Sequence, residues 1–163
     1  MLFDSHAHIN EASYSPEERV ELIKTIEASD VDYVADIGYD LASSKLAVEH
    51  AARYPWCYAV VGCHPHDAKS MDDMELAMYK GLARKKKVVA IGEIGLDFHY
   101  DHSPRDIQRE WFRRQIRMAN QLNMPIVIHS READQETMDI LKEEGAFSEE
   151  RKSWFPKRPD PSG

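Results

Sequence analysis

Cysteine is scarce in this sequence, with only Cys57 and Cys63 among 163 residues. If both lie on the strand that Cys57–Cys63 suggests, six residues at about 3.3 Å each separate them by roughly 20 Å. A disulfide tolerates only about 7 Å between Cα atoms, so two reduced, partly buried thiols are expected and a disulfide-stapled scaffold is excluded. No stretch approaches the roughly 20 apolar residues of a membrane span. The opening Met1-Leu2-Phe3-Asp4 has neither a basic region nor a long apolar run, so no signal peptide and a cytoplasmic setting are expected. Positive charge is in deficit: 21 Lys and Arg against 29 Asp and Glu give a net charge of -8. That tilts against a pure DNA-binding module, which grips phosphate with excess Lys and Arg. A nuclease whose bound cations supply the positive charge locally stays open.

What is present is ordinary for one globular domain: 42 % hydrophobic and 31 % charged residues, in a chain long enough for a core. Short apolar runs at Leu2–His6, Tyr33–Ile37, Cys57–Val61, Val88–Ile91 and Ile126–His129 read as strands. The last two are nearly continuous, as parallel strands covered on both faces are. Helix signals separate them. Ser15-Pro16-Glu17-Glu18 is a capping box with proline at the first helical position, and Val20, Ile23 and Ile26 follow at helical spacing. Ser103-Pro104-Arg105-Asp106 reads as a second such start. Its helix sets Ile107, Trp111, Phe112, Ile116, Ala119 and Leu122 against a face of Arg109, Arg113 and Arg117. Further helices are expected near 41–53, 73–84 and 133–143, the last stopped by Gly145. Five alternations of strand and helix predict an α/β fold with a parallel sheet of βαβ units. Residues 1–145 form that unit. Residues 146–163, with three prolines, many charges and no periodicity, read as a loop or tail.

The candidate chemistry sits at the strand ends. His6 and His8 are two residues apart on a strand, so both imidazoles point the same way and can reach one metal ion. Such H-x-H pairs also occur by chance on surfaces. Glu93 lies in Gly92-Glu93-Ile94-Gly95-Leu96-Asp97 just after the fourth strand, where glycines allow close backbone approach and a carboxylate can bridge two cations. Alone, it reads as an exposed Glu in a turn. His129 closes the fifth strand, where a structural histidine is the plainer reading. Arg131, next to it, is a phosphate clamp or a partner of a helix acid. The force lies in the combination, because strand C-terminal ends of parallel α/β proteins share one face, where active sites are built.

FDSHAH, GCHPH (Gly62–His66), GEIGLD and IVIHSREA, in this order from residue 1 to about 143, resemble the motifs of the TatD family of metal-dependent deoxyribonucleases. The resemblance implies a (β/α)8 barrel, two divalent metal ions (Zn, Mn or Mg) and hydrolysis of DNA phosphodiesters from the 3′ end. It implies that His6 and His8 hold the first metal, Glu93 bridges, and His129 binds the second. It further implies that His64 and His66 line the substrate groove and that Arg131 meets a phosphate. For His64 and His66 the plainer alternative is a turn before the next helix. The family pattern continues with a histidine at the sixth strand and an aspartate at a later one, which these 163 residues do not include. An eight-unit barrel needs about 200–250 residues, so an incomplete barrel of about five strands is expected, with weak or absent activity. Its open edges would favour homodimers, and no other protein partner is predicted. PHP-type phosphoesterases, lactonases and amidases are the rivals on related scaffolds, and a non-catalytic fragment is the rival of another class. Arg84-Lys85-Lys86-Lys87 reads as a helix C-terminus rather than a nucleic-acid contact. Asp4 and Asp97 are candidates to orient the histidines, while His99 and His102 lie beside the site without an assigned role.

Overall fold

A computed structural model describes residues 1–156. Five strands, β1 (Phe3–Ala7), β2 (Tyr33–Ile37), β3 (Cys57–Val61), β4 (Val88–Asp97) and β5 (Ile126–Arg131), pair in parallel in the order of the chain. They form a curled half-barrel, with α1 (Pro16–Glu27), α2 (Leu41–Arg53), α3 (Asp73–Ala83), α4 (Arg105–Gln121), α5 (Asp134–Glu143) and a short α6 (Glu149–Ser153) following or connecting them. A 3₁₀ turn spans Pro65–Ser70. The main core lies between the sheet and α2 to α5, around Ile91, Ile94, Leu96, Phe112 and Ile116. A second cluster, Ile9, Ile23, Val34 and Cys57, holds α1 on β1 and β2. On the face without helices, Ala35, Ile37, Val60 and Ala90 pack together. Beside them Met1, Phe3, Tyr33, Tyr58 and Val89 line an apolar hollow. Both cysteines are free and buried.

The start of α1 matches its sequence: Glu18 N–H donates to Ser15 Oγ, and Ser15 N–H donates to Glu18 Oε2. Gly145, at φ +75°, ends α5 with Ala146 N–H on Leu141 O and Gly145 N–H on Lys142 O, the paired bonds of a Schellman stop. Three expectations need correction. Strand β4 does not end at Ile91 but runs to Asp97, so Glu93 lies within a strand and not in a turn. Gly92 and Gly95 serve close strand approach here. A Cβ on Gly92 would stand 2.6 Å from the Val127 Cβ, and one on Gly95 would stand 1.8 Å from the His129 carbonyl oxygen. Ser103 does not cap α4: its hydroxyl donates to His66 O and accepts from Lys69 N–H, and the helix starts without a side-chain cap. The arginine face of α4 meets α5 while staying partly exposed. Arg109 pairs with Glu136, Arg113 with Glu143 and Glu144, and Arg117 with Glu144, stitching α4 to α5.

The third concerns the expected loop or tail. Ser148 caps α6, and the buried Arg151 donates to Met124 O and to Asn120 Oδ1. This cation ties the segment to the Asn120 side chain on α4 and to the turn that follows it. The rest of that stretch, residues 157–163, lies outside the described residues. The basic run at the end of α3 also has a more specific use. Lys87 Nζ donates to Ala51 O, Tyr54 O and Pro55 O, capping α2, the neighbouring helix. No helix among the described residues is long and apolar enough to cross a membrane.

Candidate metal centre

The C-terminal half of the sheet brings His6, His8, Glu93 and His129 together. A register shift in the β4–β5 pairing between Ile91 and Ile94 gives Glu93 its own aim within the ladder. Its carboxylate, 9 % exposed, faces two ways. Oε2 lies 3.7 Å from His6 Nε2 and 3.8 Å from His8 Nε2, and Oε1 lies 3.4 Å from His129 Nδ1. These gaps exceed a good hydrogen bond. Two donors bound at about 2.1 Å to one ion stand roughly 3.0–3.4 Å apart, so the spacing fits shared cations, slightly open on the His6–His8 side. Two groups of potential ligands result: His6, His8 and Glu93, and His64, Glu93 and His129, each with one donor atom per residue within 4.8 Å of the others.

Hydrogen bonds set the tautomers. His8 Nδ1 lies 2.8 Å from Ile37 O. A carbonyl only accepts, so the proton sits on Nδ1 and the Nε2 lone pair faces Glu93. His129 Nε2 donates to Asp97 Oδ2 at 2.9 Å, which turns the Nδ1 lone pair toward Glu93. The same Asp97 oxygen accepts from His66 Nε2 at 3.0 Å, and its partner oxygen accepts the backbone N–H groups of His99 and Tyr100. Burial alone would raise the Asp97 carboxyl, but those four donors hold it well below the carboxylate range. Burial also opposes ionisation of Glu93, yet the contact with His129 and the nearby imidazoles leave it below its ordinary value. His129 moves the other way: burial disfavours its charge, and Glu93 and Asp97 outweigh burial, so a cation and a proton compete for Nδ1.

His64 and His66 do lie beside this group. Burial, then the charges of His129 and His66, push His64 down to about 3, so it stays neutral near pH 7. Its Nδ1 accepts the His66 backbone N–H at 3.1 Å. The neutral ring then carries its proton on Nε2, which favours hydrogen-bond donation over ligation. Arg131 pairs with no carboxylate among the described residues, and its guanidinium lies 5.4 Å from the centroid of the Tyr100 ring. Asp4 accepts the backbone N–H of His6 rather than orienting a ring.

Sequence reasoning missed the support behind His8. Asp36, fully buried, accepts Asn10 N–H and Asn10 Nδ2 through Oδ1 and pairs with His50 Nδ1 at 2.7 Å through Oδ2. Asn10 Nδ2 also donates to Ile37 O, the carbonyl that orients His8. The available signal was a charge, Asp36, inside the otherwise apolar run Val34-Ala35-Asp36-Ile37.

The family model for TatD-related DNases matches residues 3–152. This chain belongs to the TatD-related DNase family. Among its TatD-type relatives, the metal-dependent hydrolase YabD of Bacillus subtilis, described as uncharacterized, is 46 % identical over 146 residues, covering 90 % of this chain and 57 % of its own length. The 3′-5′ ssDNA/RNA exonuclease TatD of Cronobacter turicensis is 35 % identical, covering 86 % of this chain and 53 % of its own length. The crystal structure of YJJV, a TatD homologue from Escherichia coli K12, superposes with a TM-score of 0.78 at 26 % identity, over 88 % of this chain and 56 % of that one. A hydrolase of the TatD family from Entamoeba histolytica gives a TM-score of 0.79 at 22 % identity, over 89 % and 55 %. The chain thus spans about half the length of the curated relatives it matches. The half-barrel is the TatD fold over that span, and the family is one of metal-dependent hydrolases and nucleases.

Proposed function

We propose that this chain carries the His6, His8, Glu93 and His129 part of a two-metal centre that hydrolyses phosphodiesters of DNA from the 3′ end. The observation that carries the reading is Glu93, whose two oxygens face separate sets of imidazole nitrogens. His6 and His8 would hold one cation and His129 the other, with Glu93 offering an oxygen to each. When bound, the divalent cations supply a nucleophile near neutral pH and offset charge on the phosphate. Imidazole-rich donors suit Zn2+ or Mn2+ and lean away from Mg2+ alone.

The remaining residues act on the strand. His64, neutral with its proton on Nε2, donates to a phosphate oxygen. His66, held by Asp97, lines the groove, and Arg131 clamps a phosphate. The exonuclease activity for which TatD relatives are named and the geometry of Glu93 support this reading together. RNA is an alternative substrate, since those relatives are named for both nucleic acids. The isolated 163-residue chain is expected to turn over weakly, because the resemblance assigns further ligands to later strands. Pairing of two copies through the edges of β1 and β5 is proposed as its route to a homodimer.

The test is a substrate panel run with Mn2+ and with Zn2+, using 3′- and 5′-labelled single strands, RNA, an amide and a lactone, on wild type and Glu93→Gln. Calorimetric titration of the metals accompanies it. The expected outcome is slow 3′-end shortening of DNA and metal uptake, both lost in Glu93→Gln. Amide or lactone hydrolysis with DNA untouched defeats the nuclease reading and favours another metal-dependent hydrolase, the class of the Bacillus subtilis relative.

A further inference from the structure

The loop after β4 presents an arrangement that the metal centre does not use. The Tyr100 ring is 51 % exposed, although single exposed aromatics are common and mean little. This one is not single. His102 stacks on it at 5.3 Å between centroids with 7° between planes, and His99 meets it edge-on at 4.5 Å. His66 stands perpendicular to both stacked rings, 5.7 Å from Tyr100 and 4.6 Å from His102. The Arg131 guanidinium lies over the Tyr100 ring.

The loop is held at both ends. Asp97 Oδ1 accepts the Tyr100 N–H, Lys69 Nζ donates to His102 O, Ser103 Oγ donates to His66 O, and Arg105 binds Phe98 O and Asp101. An aromatic surface on a pre-ordered loop loses little entropy when a flat ligand lands on it. Asp97 fixes both the Tyr100 backbone and the His129 ring, so the distance from this surface to the candidate centre is set through one carboxylate.

We propose that Tyr100, backed by His102, is a stacking platform for a nucleobase of the bound strand, the base displacing the Arg131 guanidinium from over the ring toward the adjoining phosphate. This rests on the nucleic-acid reading of the site. Charge gives the platform a use: at a net charge of -8 the side chains alone have little electrostatic grip on a polyanion away from the metal centre. Base stacking on an aromatic ring supplies affinity without charge and without regard to sequence.

The experiment is a double-mutant cycle on binding. A fluorescent thymidine pentanucleotide with phosphorothioate linkages, and the same strand with its two 3′-terminal bases replaced by abasic sites, are titrated by anisotropy in Mn2+. Wild type, Tyr100→Ala and Tyr100→Phe are compared. The expected result is that Tyr100→Ala weakens the base-bearing strand about five-fold or more, leaves the abasic strand unchanged, and that Tyr100→Phe restores wild-type binding. Equal loss on both strands assigns Tyr100 a structural role and overturns the platform. Unchanged binding of the base-bearing strand also overturns it while leaving the nuclease reading intact. A wild-type chain that binds neither strand overturns both.

Discussion

Asp97 and His129 are joined at 2.9 Å through Oδ2 and Nε2, and the same oxygen holds His66. The carboxylate therefore decides which nitrogen of His129 faces Glu93. Asp97→Asn keeps the size but can offer an N–H where the imidazole needs an acceptor. Metal affinity should fall about 10–100-fold, with far-ultraviolet circular dichroism unchanged. Titration calorimetry measures it, and undiminished affinity would remove Asp97 from any positioning role.

Gly95 has φ +150°, and an added Cβ would land 1.8 Å from the His129 carbonyl oxygen. Backbone cannot yield there without parting β4 from β5. Gly95→Ala should cost at least about 3 kcal/mol and weaken metal binding with it. Urea unfolding checks the first and calorimetry the second, and a fully stable Gly95→Ala protein would contradict this packing.

The Asp36–His50 pair is buried, at 0 % and 6 % exposure. Removing one member strands the other in a dry core, at a cost of about 3–5 kcal/mol. Asp36→Ala should therefore lower the thermal midpoint steeply. Because Asn10 loses its anchor too, the His8 tautomer loosens as well, which a shifted His8 resonance would report.

His64 gives acid sensitivity of known sign. Its folded value of about 3 lies below the ordinary histidine value of 6.5. Between those values the unfolded chain takes up a proton that the folded chain refuses. Its contribution is full above pH 6.5 and is lost progressively as pH falls toward 3. His129, raised by Glu93 and Asp97, acts oppositely: its contribution is full below 6.5 and lost as pH rises through its folded value. In chelator, His64→Gln should flatten the loss of stability between pH 6.5 and 3 relative to wild type. Parallel curves for the two proteins would count against a buried, neutral His64.

Burial, with the charge of Asp36 nearby, pushes the Cys57 thiol up to about 12, and burial raises Cys63 as well. Thiolate, not thiol, attacks a disulfide reagent. At pH 8 the folded protein should release almost no thionitrobenzoate from Ellman's reagent, and urea should release two equivalents.

The strands were legible because apolar runs are local signals. The four converging side chains were legible only in combination, as ordered motifs at the ends of three such runs, since Glu93 and His129 alone read as a turn residue and a structural histidine. The limits of β4 were not legible, because Gly92 and Gly95 look like turn residues until Val127 and His129 are known to pass beside them. Ser103 looked like a cap because Ser-Pro usually is one, and a long-range bond to His66 O won instead. The partners of the α4 arginines were not legible because their carboxylates are on α5 and at its end, 27 to 31 positions later in the chain. Asp36, Asn10 and the Tyr100 loop gain meaning only from partners that folding delivers.

β1 is exposed along nearly its whole length, whereas β4 is buried at all but one position. His6 thus lies on the exposed edge strand with His8 just beyond it, while Glu93 lies in the buried β4, and opening is expected to begin at the edge. An ion gripped by all three would act as a clasp, tying a fraying margin to the rigid middle. Amide protons of β1 should then exchange slowly in metal and quickly in chelator, while those of β4 hardly notice the difference.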